Sequence, residues 1–194
     1  MRLAKLKLRD FRNIRRLDAA FDPGFHLLLG RNAQGKTNLL EAVYLLATLR
    51  SFRGVGNAHI IRHGQKAFFA GGLALGQAES DIRYYWSAAQ RKLTVNEKPM
   101  RRVADYLGTL RTVVFCTEDA LLVNGPGRSR RRFLDLLLTQ TQPGYLELRQ
   151  RYTEALRSRN ALLRRDSPDL ELLDSFTREL VANGDKLIAA RRDL

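Results

Sequence analysis

Cysteine is all but missing from this chain: Cys116 is the single one in 194 residues. One thiol excludes an internal disulfide framework, and inside an apolar run it reads as a buried, inert side chain. Histidine is nearly as rare. His26, His59 and His63 are scattered, and no Cys/His cluster has the spacing of a metal site. Acidic residues are scarce against basic ones, 20 Asp+Glu against 34 Lys+Arg. No apolar run approaches the roughly 20 residues that a membrane-spanning helix needs. No secretory leader is legible where Met1-Arg2-Leu3-Ala4-Lys5-Leu6-Lys7-Leu8 alternates apolar residues with charges. Internal repeats and low-complexity tracts are missing too. These absences predict a soluble, cytoplasmic globular chain.

What is present is a core and a field. Hydrophobic residues make up 44% of the chain, enough for one substantial domain or a domain with an appendage. The net charge of +14 attracts polyanions, nucleic acid first and an anionic membrane surface second; an acidic protein is the remaining candidate.

One stretch carries chemistry. Gly30-Arg31-Asn32-Ala33-Gln34-Gly35-Lys36-Thr37 fits G-x-x-x-x-G-K-[ST], the phosphate-binding P-loop or Walker A pattern. The apolar run 25–29 before it predicts a buried strand, and residues 38–47 after it predict a helix. Glycines let consecutive backbone N–H groups turn toward phosphate oxygens, and the helix N-terminus adds its positive dipole end. In that pattern Lys36 reaches the β- and γ-phosphates and the Thr37 hydroxyl sits on Mg²⁺.

Around it the chain reads as mixed α and β. Residues 3–8 and 17–21 predict two strands that pair as a hairpin. Residues 67–75, 80–87 and 91–95 predict an antiparallel β region inserted after the P-loop helix, ending at the turn Asn96-Glu97-Lys98-Pro99. Residues 101–107 predict a short helix, and 112–116 a buried strand. Helical patterns then start near Arg128, at Tyr145 and after Ser167, which is placed to cap the last of them. The final two predict either an extended arm or a compact helical subdomain.

Parts of a hydrolytic site are not legible. The nearest match to an apolar strand ending in an acid is Val113-Val114-Phe115-Cys116-Thr117-Glu118-Asp119, where the acids come one position late. It reads better as a strand followed by a turn or short helix. No serine-glycine signature loop is found; Leu75-Gly76-Gln77 lacks the serine. Arg128, Arg130, Arg131 and Arg132 form a basic run at a predicted helix start, where positive charge is unfavourable unless an anion lies nearby, so they are candidate DNA contacts. Tyr84, Tyr85 and Trp86 could stack on bases, but alternation buries at least one of them.

A family resemblance gathers these pieces. Leu6-Lys7-Leu8-Arg9-Asp10-Phe11-Arg12-Asn13-Ile14 resembles the first strand and turn of SMC-like ABC ATPases, and residues 30–42 resemble their Walker A helix. Ser51-Phe52-Arg53, Ile61-Arg62-His63-Gly64, residues 114–119, Gly125-Pro126, Arg131-Arg132-Phe133-Leu134-Asp135 and Arg159-Asn160-Ala161-Leu162-Leu163 resemble the RecF family, in order and over nearly the whole chain. The resemblance implies an α/β P-loop NTPase fold: an ABC/SMC-like head with a mixed sheet and an antiparallel β insertion over residues 1–143, then the start of a helical arm over 144–194. It implies a cytoplasmic ATPase that uses ATP and Mg²⁺, binds single- and double-stranded DNA and their junctions, and forms an ATP-dependent homodimer. It also implies partnership with RecO and RecR, indirectly RecA loading, and roles in DNA repair, replication restart and the SOS response. By position it puts Arg12, Asn13 and Arg53 near the phosphates. The family's signature loop and Walker B acids follow its arm, whereas this sequence stops at Arg191-Arg192-Asp193-Leu194 inside a helical pattern. The expectation is therefore the N-terminal part of a longer protein, with weak ATP binding and no turnover by itself. Two rival readings are another SMC-like head and a DNA-binding module with a non-hydrolysing P-loop. The block at residues 131–135 argues against the former.

Overall fold

A computed structural model describes residues 1–194, apart from the side chain of Glu118. By packing, the chain divides into two units, Met1–Phe115 and Cys116–Leu194.

The first unit is built on strict alternation. In β1 (Arg2–Phe11) Leu6 and Leu8 are fully buried while Lys5 and Lys7 face solvent. β1 pairs antiparallel with β2 (Ile14–Ala20), the expected hairpin. The inserted strands β3 (Ala67–Leu75), β4 (Glu79–Ser87), β5 (Arg91–Val95) and β6 (Lys98–Pro99) do not stand apart from it. β3 pairs with β1, giving one six-stranded antiparallel sheet in the order β2-β1-β3-β4-β5-β6. Asn96 and Glu97 make the β5–β6 turn with φ of 49° and 66°. The Asn96 side chain holds that turn by accepting from the Asp81 N–H and donating to the Glu79 carbonyl.

Helix α1 (Lys36–Thr48) covers one face of this sheet. Ala42, Leu45, Leu46 and Leu49 meet Leu6, Leu8, Phe68 and Ala70 in the core. Gly72 makes that approach possible: a Cβ there would lie 2.8 Å from Leu3 Cδ1 and 3.1 Å from Leu46 Cδ1. A short helix, α2 (Val103–Tyr106), ends in the buried Tyr106, whose hydroxyl donates to the Leu46 carbonyl. Burial raises that phenol above its usual range.

Two expected strands are not formed. Residues 25–29 and 112–116 carry no ladder among the described residues, and the sheet is antiparallel throughout rather than mixed. Phe25, Leu27, Leu29, Val113 and Phe115 are almost fully exposed. A strand is held by its neighbour's hydrogen bonds, and apolar content cannot replace that neighbour.

The second unit is helical: α3 (Leu121–Asn124), α4 (Gly127–Thr141), α5 (Tyr145–Leu162) and α6 (Leu170–Arg192). Asp169, rather than the expected Ser167, caps α6 by accepting from the Leu172 N–H at 3.0 Å. Leu138, Tyr145 and Leu187 form a small core across α4, α5 and α6. Asp135 beside it accepts from the Tyr145 hydroxyl at 2.5 Å and the Arg191 guanidinium at 2.7 Å. Among the described residues no helix is long and apolar enough to cross a membrane.

Two outcomes follow from this packing. Gly72→Ala should cost about 1–3 kcal/mol, read as a lower urea midpoint. Burial and the Asp135 hydrogen bond push the Tyr145 hydroxyl from 10.0 up to about 12. The folded state therefore holds this proton more tightly than the unfolded state. Its contribution is full below pH 10 and is lost as pH rises toward 12, so Tyr145→Phe should flatten the alkaline fall in helix stability measured on either side of pH 10.

Candidate functional site

The loop before α1 is shaped for an anion. Gly30, Ala33 and Gly35 all have positive φ, at 149°, 64° and 102°. Gly35 is required twice over: besides its left-handed backbone, a Cβ would sit 2.8 Å from Asn13 Oδ1. No side chain caps α1 and no acid lies in its first turn. Its first N–H groups and positive dipole end therefore face the loop. Lys36 Nζ donates to the carbonyls of Gly30 at 2.6 Å and Arg31 at 2.8 Å, which draws the ammonium across the loop. The Thr37 side chain is exposed beside it. A cation, a bare helix N-terminus and a hydroxyl thus lie within one short stretch, which is the donor set a polyphosphate with Mg²⁺ needs.

A polar wall stands behind the loop. The tight β1–β2 turn, with Arg12 at φ 56°, follows a left-handed Asp10 (φ 48°) near the end of β1 and aims Arg12 and Asn13 toward α1. Asn13 donates to the Ala33 carbonyl at 3.0 Å and accepts from Asn38 at 2.8 Å. Arg53 donates to Asn38 Oδ1 at 3.0 Å. Beneath them Glu41 of α1 is fully buried. Arg12 grips both its oxygens, at 2.9 and 2.7 Å, and uses its remaining nitrogen on the His59 carbonyl. Ser51 Oγ donates to Glu41 at 2.5 Å, and Arg53 approaches it at 3.4 Å. Two guanidinium groups share one carboxylate, so the wall keeps a positive surplus. A cleft of about 670 Å³ opens here, lined by Arg12, Asn13, Asn38, Arg53, Arg62 and His63.

The structure therefore gathers Arg12, Asn13 and Arg53 at the loop's rear, while Arg31, Asn32, Ala33 and Gln34 lie exposed along it. Arg12 is fully engaged by Glu41 and His59, and Arg53 keeps about a third of its side chain exposed, 35%. In the helical unit Arg130 donates to the Leu122 and Gly125 carbonyls, and Arg128, Arg131 and Arg132 face solvent. Residues 117–120 form a 3-10 turn rather than a strand end. Asp119 ties that turn by accepting from the Cys116 N–H at 2.6 Å, while the Glu118 side chain lies outside the described residues. Among the described residues no group of three or more His, Cys, Asp or Glu could hold a metal ion.

Asn38, Glu41 and Ser51 fall within the stretches that carry the family resemblance, but the sequence assigned them no role at the site. Glu41 left a signal: it is an acid on the same helix face as Leu45, where a charge needs a buried cationic partner.

Comparison with known proteins places this arrangement. No family model matches the chain. It is 40% identical over 200 residues to the DNA replication and repair protein RecF of Synechococcus sp. strain JA-2-3B'a(2-13), covering 100% of this chain and 53% of that protein. It is 38% identical to RecF of Anaeromyxobacter sp. strain Fw109-5, again over 100% of the chain and 52% of the relative. The chain thus spans about half the length of the curated relatives it matches. Among solved structures, the recombination mediator protein RecF-ATPrS in the RecFOR pathway superposes with a TM-score of 0.92 at 30% identity, over 99% of this chain and 53% of that one. A structure from work on ATP-driven dimerization of SMC ATPases shares the fold, with a TM-score of 0.56 at 18% identity over 70% of this chain and 98% of its own.

Glu41→Ala should cost about 3–5 kcal/mol, because it strands Arg12 and Ser51 in the wall. Urea unfolding of the variant checks this.

Proposed function

Because the chain is homologous over its whole length to the N-terminal part of RecF, we propose that it is the ATP-binding lobe of a RecF-type DNA replication and repair protein. The observation that supports this most is the cradle itself: Gly35 in a left-handed conformation where a Cβ would meet the Asn13 side chain, with Lys36 drawn over the loop. In this reading the backbone of residues 30–37 and the Lys36 ammonium hold the β- and γ-phosphates, and the Thr37 hydroxyl is a ligand of Mg²⁺. Arg53, with Asn13 beside it, contacts the phosphates from the rear wall. Arg12 contributes by holding Glu41 and the turn in place.

ATP, when bound, supplies the polyanion that neutralises this surplus and joins two heads of the whole protein. The sequence holds no signature loop and no strand-end Walker B acid. In this reading the chain by itself is expected to bind nucleotide weakly and to show no turnover. The whole protein's work, in the same reading, is cytoplasmic: binding of single- and double-stranded DNA at gaps, a homodimer closed by ATP, cooperation with RecO and RecR in loading RecA, replication restart and the DNA-damage SOS response. The net charge of +14 supports the DNA partner. Arg128, Arg131 and Arg132 at the open start of α4 are candidate contacts, with Arg130 holding the turn before them.

A second reading, a DNA-binding module whose P-loop does not act on ATP, is separable by experiment. Lys36→Ala should weaken binding of a fluorescent ATP analogue at least about tenfold, the factor that about 1.4 kcal/mol represents. DNA retention on filters should rise with ATP and lose that rise in Thr37→Ala. Retention indifferent to both ATP and Thr37 would favour the second reading, and turnover that vanished in Lys36→Ala would overturn the non-hydrolytic part of the first.

A further inference from the structure

The sheet has a second face, turned away from α1. Its residues follow from the strand register. Across β2, β1, β3, β4 and β5, one row runs Arg16, Arg9, Phe69, Tyr85 and Lys92, each directly opposite the next. Directly paired residues share a face, and strands lie about 4.8 Å apart, so this row is a line about 19 Å long. It reads cation, cation, aromatic, aromatic, cation.

Three properties set this row apart from an ordinary solvated surface. First, Arg9 and Arg16 oppose each other, a like-charge pair that destabilises a sheet. Neither they nor Lys92 has an ion pair among the described residues. Two acids of the same face are committed elsewhere, Asp18 to Lys7 at 3.7 Å and Asp81 to Arg83 at 2.6 Å. Second, the aromatics stand in the open. Tyr85 keeps 36% of its surface exposed, whereas Tyr84, one residue away, is buried in the core. Phe69 lies down over Gly71, where a Cβ would come 2.7 Å from its Cζ, so the ring lies along the sheet. Third, the face is concave: a hollow of about 600 Å³ is lined by Arg9, Arg16, Phe69, Arg83 and Tyr85 among others, and its two acids, Asp10 and Asp18, are paired with Arg62 and Lys7.

We propose that this outer sheet face is a binding platform for single-stranded DNA, with Tyr85 and Phe69 stacking on unpaired bases and Arg9, Arg16 and Lys92 holding the flanking phosphates. The inference rests on the DNA-binding reading above but assigns a different surface from the α4 arginines. Unpaired bases are specified by the aromatics. In a duplex the base faces are already stacked on one another, so rings lying on a sheet have nothing to receive. In a single strand every base offers a face, and cations on either side follow the backbone.

The test uses the full chain with ATP and Mg²⁺, a fluorescent oligothymidylate, and a duplex of matched length. Arg9→Glu with Arg16→Glu should lower single-strand affinity at least about tenfold and flatten its salt dependence. Arg9→Lys with Arg16→Lys should retain most of it. Tyr85→Ala should lower single-strand affinity about 5- to 100-fold and leave duplex affinity unchanged. Photocrosslinking from 5-iododeoxyuridine to the unaltered protein, mapped by mass spectrometry, should land on Tyr85 or Phe69, and this arm does not depend on any variant folding. Crosslinks confined to residues 128–132, or equal losses for single strand and duplex in Tyr85→Ala, would overturn the platform while leaving DNA binding in place. No DNA binding by the parent chain would overturn both.

Discussion

A fully buried carboxylate in an arginine-rich chain is the constraint on which the first unit of this protein depends. Glu41 sits on the core-facing side of α1, where an ionised side chain is tolerated only with its oxygens saturated. Arg12 supplies two hydrogen bonds, Ser51 one, and Arg53 adds its charge. These donors come from the β1–β2 turn and from the segment after α1. Satisfying one acid therefore fixes three pieces of chain against one another, and the Asn13 contact to the Ala33 carbonyl carries that order into the phosphate loop. The loop's shape is thus held from behind by charge pairing as well as from within by its glycines.

The same economy recurs in the helical unit. Asp135 of α4 receives Tyr145 of α5 and Arg191 of α6, joining helices whose apolar contact is small. Asp10 likewise receives Arg62 at 2.7 Å across the sheet edge. With acids in the minority, those that pair arginines from distant segments act as organisers, and the surplus cations remain on surfaces. That distribution explains how a chain of net +14 packs at all. Repulsion is confined to faces where solvent or an anionic partner can screen it.

The antiparallel sheet separates these roles. Its inner face is apolar and receives α1, with Gly72 left bare so that Leu46 can approach. Its outer face carries lysines, arginines and two accessible aromatics. The period of two sorts neighbours in sequence to opposite functions: Tyr84 is core, Tyr85 is surface, and Trp86 packs half-buried against the core.

Much of this was legible in the residues alone. The spacing in residues 30–37 fits the P-loop pattern, which is read from consecutive residues. Alternation in residues 3–8 marks a strand, the runs 67–75 and 80–87 read as strands too, and the order of the motifs carries the family likeness. Other features depend on partners distant in sequence, which no local pattern identifies. β3 beside β1 joins two regions that read as separate. Glu41, Ser51 and Asn38 acquire their roles only once Arg12 and Arg53 arrive from 29 and 15 residues away. The runs 25–29 and 112–116 have strand-like composition, yet composition supplies side chains and a strand needs a hydrogen-bonding neighbour. The sequence by itself determined the phosphate loop, because its chemistry lies in consecutive residues. Tertiary structure decided what stands behind that loop and which charges share a face, because both depend on register and on pairing across the fold.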